Sequence, residues 1–142
     1  MAYIIVVGCG RLGAHLASEF SRRGHSVVVV DPEELALASL PPEFGGFRME
    51  GDATEVAILR QAKAEQADQL IAVTRDDNVN LAVAQMAKVV CRVPEVVARV
   101  SDPDREAIFR DLGVRTVCPL TLAAGELLRA AADSPGGRER ST

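Results

Sequence analysis

The segment from Tyr3 to Asp31 constrains the fold more than any other part of the chain. It reads YIIVVGCGRLGAHLASEFSRRGHSVVVVD, so an apolar run, a glycine cluster, a segment of helical period and a second apolar run follow one another. The run at residues 27–30 does not alternate with polar residues, which is typical of a parallel strand buried on both faces. This order predicts a parallel βαβ unit.

The rest of the chain repeats the alternation of strand and helix. Strands are predicted at residues 3–7, 26–30, 47–50, 69–73, 96–100 and 115–118, and helices at residues 11–23, 32–40, 54–66, 79–90 and 103–112. Six strands joined by helical crossovers predict an α/β fold, a Rossmann-like doubly wound parallel sheet in a single domain. We place this domain at residues 1–132, ending in a C-terminal crossover helix, and interpret residues 133–142, DSPGGRERST, as a flexible tail or linker.

The three glycines after the first strand predict a nucleotide site. Gly8, Gly10 and Gly13 form G-x-G-x-x-G between a strand and a helix. In dinucleotide folds the first glycine makes a tight turn, the second lets a pyrophosphate approach the backbone, and the third allows close packing of helix and strand. The helix N-terminus then offers free N–H groups to phosphate. The alternative is a glycine-rich turn without a ligand.

Asp31 ends the second strand and limits the ligand. A carboxylate at this place is suited to accept hydrogen bonds from ribose hydroxyls. Pro32, Glu33 and Glu34 follow it, and no Arg or Lys is near, so a 2′-phosphate would meet like charge and NADP is disfavoured. Cys9, inside the glycine loop, is interpreted as a small residue that fits the turn, with a redox role as the alternative.

Three arginines are candidates for contacting phosphate. Arg11 begins the first helix, Arg75 follows the fourth strand and Arg99 lies late in the fifth. The carboxyl ends of parallel strands form the ligand-facing edge of a doubly wound sheet, and a guanidinium binds phosphate in bidentate geometry. A solvated surface position is the alternative for each.

Composition excludes several classes of function. The net charge of −4 argues against a nucleic-acid partner, and no run approaches the ~20 apolar residues that cross a bilayer, so direct membrane insertion is not expected. Three widely spaced cysteines without a CxxC pair indicate neither a disulfide framework nor a zinc site. We therefore expect a cytoplasmic location.

Five motifs together resemble a known family, over residues 3–132. GCGRLG, the strand-ending Asp31, GDAT (residues 51–54), VTRDDNVN (73–80) and ARVSDPD (98–104) are similar to the RCK domain, also called KTN or TrkA-N. Members of this family are nucleotide-binding regulatory subunits of potassium channels and Trk/Ktr-type transporters. They usually continue into a second ligand-binding lobe, which lies beyond the part that this chain resembles.

The resemblance implies a ligand and a role for each matching residue. The ligand is an adenine nucleotide, either NAD/NADH or ATP/ADP/AMP. The glycine loop would hold the phosphates, Asp31 the ribose, and Asp52 and Ala53 the adenine. Thr74, Arg75 and Asn78 would line the far side of the pocket, and Arg99 would approach from the fifth strand. The implied binding residues are Gly8, Cys9, Gly10, Arg11, Leu12, Gly13, Asp31, Asp52, Ala53, Thr74, Arg75, Asn78 and Arg99. Asp52 or Thr54 can also cap a helix from Glu55, which is compatible with adenine binding. The alternative for Asn78 is that it only caps the helix from Val79.

The resemblance also implies partners. One partner is a second copy of the chain, in a dimer that can assemble into a ring. The other is an integral-membrane potassium transporter subunit, which would hold the protein at the inner membrane. The segment PLTLAAGELLRAAA (119–132) carries apolar residues at helical spacing after the sheet is complete. We expect this face to bind a second subunit, and the alternative is that it folds back over the sheet.

The rival function is a small NAD-dependent oxidoreductase, or a fragment of one. It would need an acid–base group near the nicotinamide. His15 is expected on the helix surface, His25 at the far end of the sheet and Tyr3 inside the first strand, while Asp76 and Asp77 are expected in a solvated loop. No catalytic constellation results, and we expect a regulator without enzymatic activity.

Overall fold

A six-stranded, fully parallel sheet forms the centre of the molecule. The structure, a computed structural model, describes residues 1–133. Its strands are β1 (Tyr3–Val7), β2 (Ser26–Asp31), β3 (Phe47–Glu50), β4 (Gln69–Ala72), β5 (Glu95–Arg99) and β6 (Arg115–Val117), in the order β3-β2-β1-β4-β5-β6. This is the predicted doubly wound sheet, and the Rossmann-like fold is confirmed. The tail expected from residue 133 lies almost wholly outside the described residues.

Six α-helices connect or follow the strands. They are α1 (Arg11–Arg22), α2 (Glu34–Ala38), α3 (Val56–Gln61), α4 (Asp77–Gln85), α5 (Glu106–Asp111) and α6 (Pro119–Ala132). Two 3-10 turns at Ala64–Gln66 and Pro103–Arg105 and a π-helical turn at Met86–Val90 complete the connections. All of the predicted helices are present, but α1 ends one residue earlier than expected, and the other four are shorter or change to another helical type part-way.

The differences have local causes. The helix expected at residues 54–66 stops at Gln61 because Lys63 takes a left-handed conformation, with φ of 61°. The helix expected from Val79 begins at Asp77, because the carboxylate of Asp76 accepts the N–H groups of Asn78 and Val79. Asp76 is therefore the cap of α4, and the prediction that Asn78 caps this helix is wrong.

The core lies on both faces of the sheet. Alternate residues of the central strands pack in opposite directions, so Ile4 and Val6 contact one layer and Ile5 and Val7 the other. α1 and α2 cover the first face over β1 and β2, whereas α3 and α4 cover the second. A third cluster around Phe109 packs α5 against β5. Both faces of β1 and β2 are therefore buried, as the unbroken apolar runs predict.

α6 lies outside this core. None of its fourteen residues is buried, and Leu120, Leu122, Leu127 and Leu128 are 59–71% exposed. The alternative that this helix folds back as a covering helix over the sheet is therefore not what the structure shows. None of its apolar side chains belongs to a core cluster of residues 1–133.

Candidate nucleotide-binding site

A cavity of about 950 Å³ opens at the carboxyl edge of the sheet. It lies where the order of strands reverses between β1 and β4, which is the ligand position in open α/β sheets. Its size is near the upper end of the range for small-molecule sites. The cavity is lined by Val7, Gly8, Gly10, Arg11, Leu12, Val30, Asp31, Pro32, Glu33, Ala36, Gly51, Asp52, Ala53, Val73, Thr74, Arg75, Asp76, Val79, Arg99 and Pro119.

The three glycines of the loop differ in what surrounds them. Gly8 has a φ of 106°, and a Cβ there would come within 2.9 Å of the Thr74 nitrogen. A Cβ on Gly13 would lie 1.8 Å from the Gly8 carbonyl oxygen, so helix and strand could not approach as they do. Gly10 has no heavy atom within 4 Å of such a Cβ. Protein packing therefore explains Gly8 and Gly13, whereas the space beside Gly10 is open to the cavity.

The start of α1 faces this open space. Gly10 is the N-cap residue, and no side chain caps the helix. The first N–H groups of a helix have no partner within the helix itself. Because Gly10, Arg11 and Leu12 line the cavity, these donors and the positive end of the helix dipole are available to an anion there.

Asp31 holds the glycine loop in addition to lining the cavity. One carboxylate oxygen accepts the N–H of Cys9 at 2.8 Å, and the other accepts the N–H of Glu33 at 2.8 Å. Each carboxylate oxygen has a second lone pair, so Asp31 keeps acceptor capacity for a ligand hydroxyl. The sequence indicates the ligand-binding role of this residue but not its support of the loop.

Cys9 is buried behind the loop and does not line the cavity. Burial and, next, the negative charge of Asp31 raise the pKa of its thiol. The thiol therefore stays protonated at neutral pH, which disfavours a redox role because the thiolate is the reactive form. Its backbone N–H, bound to Asp31, is its contribution to the site.

Charge is distributed unequally across the cavity. The acidic side has Asp31 at the end of β2, Glu33 just beyond it and Asp52 after β3. The other side has Arg75 after β4 and Arg99 at the end of β5, with Arg11 between the two sides. The Nε of Arg99 is buried and has no hydrogen-bond partner within residues 1–133. A buried donor without a partner is costly. The arrangement fits a ligand with a hydroxyl-rich part at one end and an anionic part at the other.

The GDAT segment forms a turn at the acidic side. Asp52 accepts the N–H of Thr54 at 2.9 Å and its hydroxyl at 2.6 Å, and these bonds, the hydroxyl first, lower the pKa of the Asp52 carboxyl. α3 begins only at Val56, with Glu55 as its N-cap residue and no side-chain cap. The expectation that Asp52 or Thr54 caps this helix is therefore wrong. Asp52 and Ala53 both line the cavity.

Of the three residues after β4 that were predicted to bind the ligand, two line the cavity. Thr74 and Arg75 line the cavity, but Asn78 does not, and its side-chain oxygen accepts a hydrogen bond from Arg105. The prediction that the neighbouring Asp77 lies in a solvated loop is wrong. It is buried and accepts the N–H groups of Ser101 at 2.8 Å and Asp102 at 3.3 Å.

Of the other candidates for acid–base chemistry, Asp76 lines the cavity as the cap of α4, whereas His15, His25 and Tyr3 lie away from it. His15 is exposed on α1, and His25 accepts the N–H of Ala2 at 3.0 Å beside the first residue of β2. Tyr3 donates its hydroxyl to the carbonyl of Ala62. No histidine or tyrosine lines the cavity formed by the described residues.

No helix within residues 1–133 is long and apolar enough to cross a bilayer.

Comparison with known proteins decides the family. The family model described as the TrkA-N domain matches residues 4–119, which include every strand of the sheet except the first residue of β1. The chain belongs to the TrkA-N domain family. The resemblance inferred from the five motifs is thereby confirmed.

Two curated relatives carry the same domain. The chain is 35% identical over 127 residues to the Trk system potassium uptake protein TrkA of Streptomyces coelicolor, an alignment that covers 89% of this chain and 57% of the relative. It is 32% identical over 126 residues to a TrkA homolog of Methanothermobacter thermautotrophicus, covering 88% and 58%. The chain thus spans less than three fifths of the length of these relatives.

Solved structures of the GsuK channel share the fold of this TrkA-N domain. The structure of GsuK bound to ADP aligns with a TM-score of 0.75 at 25% identity, covering 93% of this chain and 35% of the channel chain. The GsuK channel bound to NAD aligns with a TM-score of 0.74 at 24% identity, covering 89% and 23%.

Pro119 and Asn80 contribute to this TrkA-N site although the sequence analysis gave them no role. Pro119, the first residue of α6, lines the cavity, so the exposed helix begins at the site. Asn80 is completely buried and binds the backbone of both Thr74 and Arg99. Asn80 is the last residue of the VTRDDNVN motif (73–80), which could have marked it as a site residue, but the motif alone does not show what its side chain contacts.

Proposed function

We propose that this TrkA-N domain binds an adenine nucleotide and that the nucleotide regulates a membrane potassium transporter or channel. The observation that supports it most is the cavity at Gly10, where an uncapped helix N-terminus offers N–H donors to an anion and Arg11 and Arg99 add positive charge. The GsuK channel has been solved bound to ADP and bound to NAD, and the curated relatives are potassium uptake proteins.

The charge distribution suggests how the nucleotide lies. The adenosine would occupy the side of Asp31 and of Asp52 and Ala53, with its ribose hydroxyls donating to the Asp31 carboxylate. The phosphates would lie beside Gly10, Arg11 and Arg99, where the helix N-terminus and guanidinium groups favour negative charge. A 2′-phosphate would meet Asp31 and Glu33, so NADP is not the ligand.

The nucleotide acts as a signal in this proposal, and the domain is not an enzyme. A ligand shifts a conformational equilibrium by its differential affinity for two states. ATP, ADP, AMP and NAD(H) share adenosine and differ at the phosphates, which are the part that Arg11 and Arg99 would contact. Pro119 lines the same cavity, so the ligand lies next to the start of α6.

α6 is the proposed contact between subunits. Its exposed leucines would be buried against a second copy of the chain in a dimer, and dimers can assemble further into a ring. The partner of this assembly is the integral-membrane potassium transporter subunit. The domain would then be cytoplasmic and peripheral to the inner membrane.

Potassium uptake tests this function. The full-length protein is co-expressed with its potassium-transporter membrane subunit in cells that lack other uptake systems, and potassium accumulation is measured. We expect uptake that requires the protein and is changed by Gly10→Val, while the purified protein with NADH and a panel of carbonyl substrates shows no loss of nicotinamide absorbance. Sustained substrate-dependent oxidation of NADH, with uptake indifferent to the protein, would instead identify an oxidoreductase.

A further inference from the structure

Asn80, in the second turn of α4, uses its whole hydrogen-bonding capacity inside the protein. Its Oδ1 accepts the Thr74 N–H at 2.9 Å and lies 2.7 Å from the Thr74 hydroxyl, the nearer of that hydroxyl's two acceptors. Its Nδ2 donates to the carbonyls of Thr74 and Arg99, both at 3.0 Å. The side chain is 0% exposed. An amide this deeply buried is tolerated because each of its polar atoms is satisfied.

The two residues that Asn80 joins belong to different walls of the cavity. Thr74 follows β4, and its nitrogen lies so close to Gly8 that a Cβ there would approach it to 2.9 Å. Arg99 ends β5 and carries the buried, unpartnered Nε. Asp77, one turn earlier on α4, accepts the N–H of Ser101 just beyond Arg99. α4 thus holds the exits of both strands through two buried side chains.

We propose that Asn80 is the positioning residue that holds Arg99 ready for the phosphates of the nucleotide. Since its amide fixes the Arg99 backbone relative to Thr74 and the glycine loop, the guanidinium is presented to the cavity without a reorganisation when the ligand binds. The inference depends on the proposed nucleotide function. It adds that phosphate recognition rests on a residue that does not itself contact the ligand.

Asn80→Ser in the full chain tests this, with ADP and adenosine as probes in calorimetry. Serine is too short to bridge Thr74 and Arg99, so we expect ADP to bind about tenfold more weakly, the effect of about one hydrogen bond, and adenosine to change by less than about twofold. In an Arg99→Met background, Asn80→Ser should weaken ADP binding by less than about twofold, because coupled residues are not additive.

Two further variants control for a loss of stability and for a failure of Asn80→Ser to fold. Val83→Ala is the control for stability, since Val83 is fully buried on the same helix and does not line the cavity, and it should leave ADP binding unchanged. If Asn80→Ser does not fold, Asn80→Leu keeps the approximate volume and adds no charge but loses the bond to the Arg99 carbonyl, and the same results are expected.

Each outcome distinguishes the two proposals. An equal loss for ADP and adenosine, or a full additional loss in the Arg99→Met background, would show a structural role only and overturn the inference. If the wild type binds ADP and neither Asn80 variant binds it more weakly, the inference about Asn80 is overturned, while the proposed function stands. If the wild-type chain binds no adenine nucleotide, the proposed function fails, and the role of Asn80 in phosphate recognition fails with it.

Discussion

At the scale of single residues, Asp31 shows how one side chain serves both the fold and the ligand. Its carboxylate accepts the N–H groups of Cys9 and Glu33, and so fixes the glycine loop relative to the end of β2. The same group is half-buried at the acidic side of the cavity. Its negative charge is therefore held at the place where the ribose is proposed to lie, and cannot move away from a 2′-phosphate.

We therefore expect Asp31→Asn to lower the preference for NAD over NADP. Two like charges ~4 Å apart repel by about 4 kcal/mol at an effective dielectric constant of ~20. The cavity is open to solvent, so we expect a smaller effect, a preference of at least about tenfold in the wild type that falls by about tenfold in Asp31→Asn. Asparagine keeps one oxygen as an acceptor for the loop.

Competition binding with NAD and NADP measures this preference. Glu50→Gln is the matched control, because Glu50 pairs with Asp31 in the sheet register, is exposed and does not line the cavity. It removes the same charge and should leave the preference unchanged. Equal binding of NAD and NADP by the wild type would contradict the role given to Asp31.

At the scale of elements, α6 differs from the other helices. Gly13 and Ala17 are buried on α1 and Val83 and Ala84 on α4, whereas α6 buries no residue. Burying a leucine side chain contributes about 1.5–3 kcal/mol. A contact between subunits that covers Leu127 and Leu128 would therefore favour association without being needed to fold the monomer.

Leu127→Asp combined with Leu128→Asp should convert an oligomer into folded monomers that still bind nucleotide. The charged side chains would remain in water in the monomer but would be costly in an apolar interface. Size exclusion with light scattering at tens of micromolar measures the mass. Leu127→Met with Leu128→Met keeps the apolar surface and should remain oligomeric. A monomeric wild type, or a double Asp variant that unfolds, would show that this helix is not the subunit contact.

At the scale of the whole molecule, the predictions from sequence succeed where backbone pattern decides the outcome. Unbroken apolar runs and intervening helical periods predict buried parallel strands with helical crossovers, so the sheet, its parallel direction and the edge that carries the site are as expected. Helix ends are less well predicted, because a left-handed Lys63 and the capping carboxylate of Asp76 act within single turns.

Some residues of the site could be predicted from the sequence, and others could not. Residues tied to strand ends, such as Asp31 and Arg99, line the cavity because the topology brings those ends together. Asn78, Asp77 and Asn80 differ from expectation because neighbouring positions on a helix face different directions, about 100° apart per residue. Asn78 faces Arg105, whereas Asp77 and Asn80 face the exit of β5. Pattern locates such a helix, but only packing shows which side chains enter the network.

The central claim is that the open space beside Gly10 holds the phosphates of an adenine nucleotide, and calorimetry of Gly10→Val with ADP and NAD tests it most directly. Gly10 and Gly125 both have no heavy atom within 4 Å of an added Cβ, so Gly125→Val on α6 is the matched control. We expect the wild type and Gly125→Val to bind both ligands. Gly10→Val should stay folded but lose at least about 100-fold in affinity, or about 2.7 kcal/mol. Undiminished binding of ADP and NAD by Gly10→Val, or no binding by the wild type, would contradict the claim.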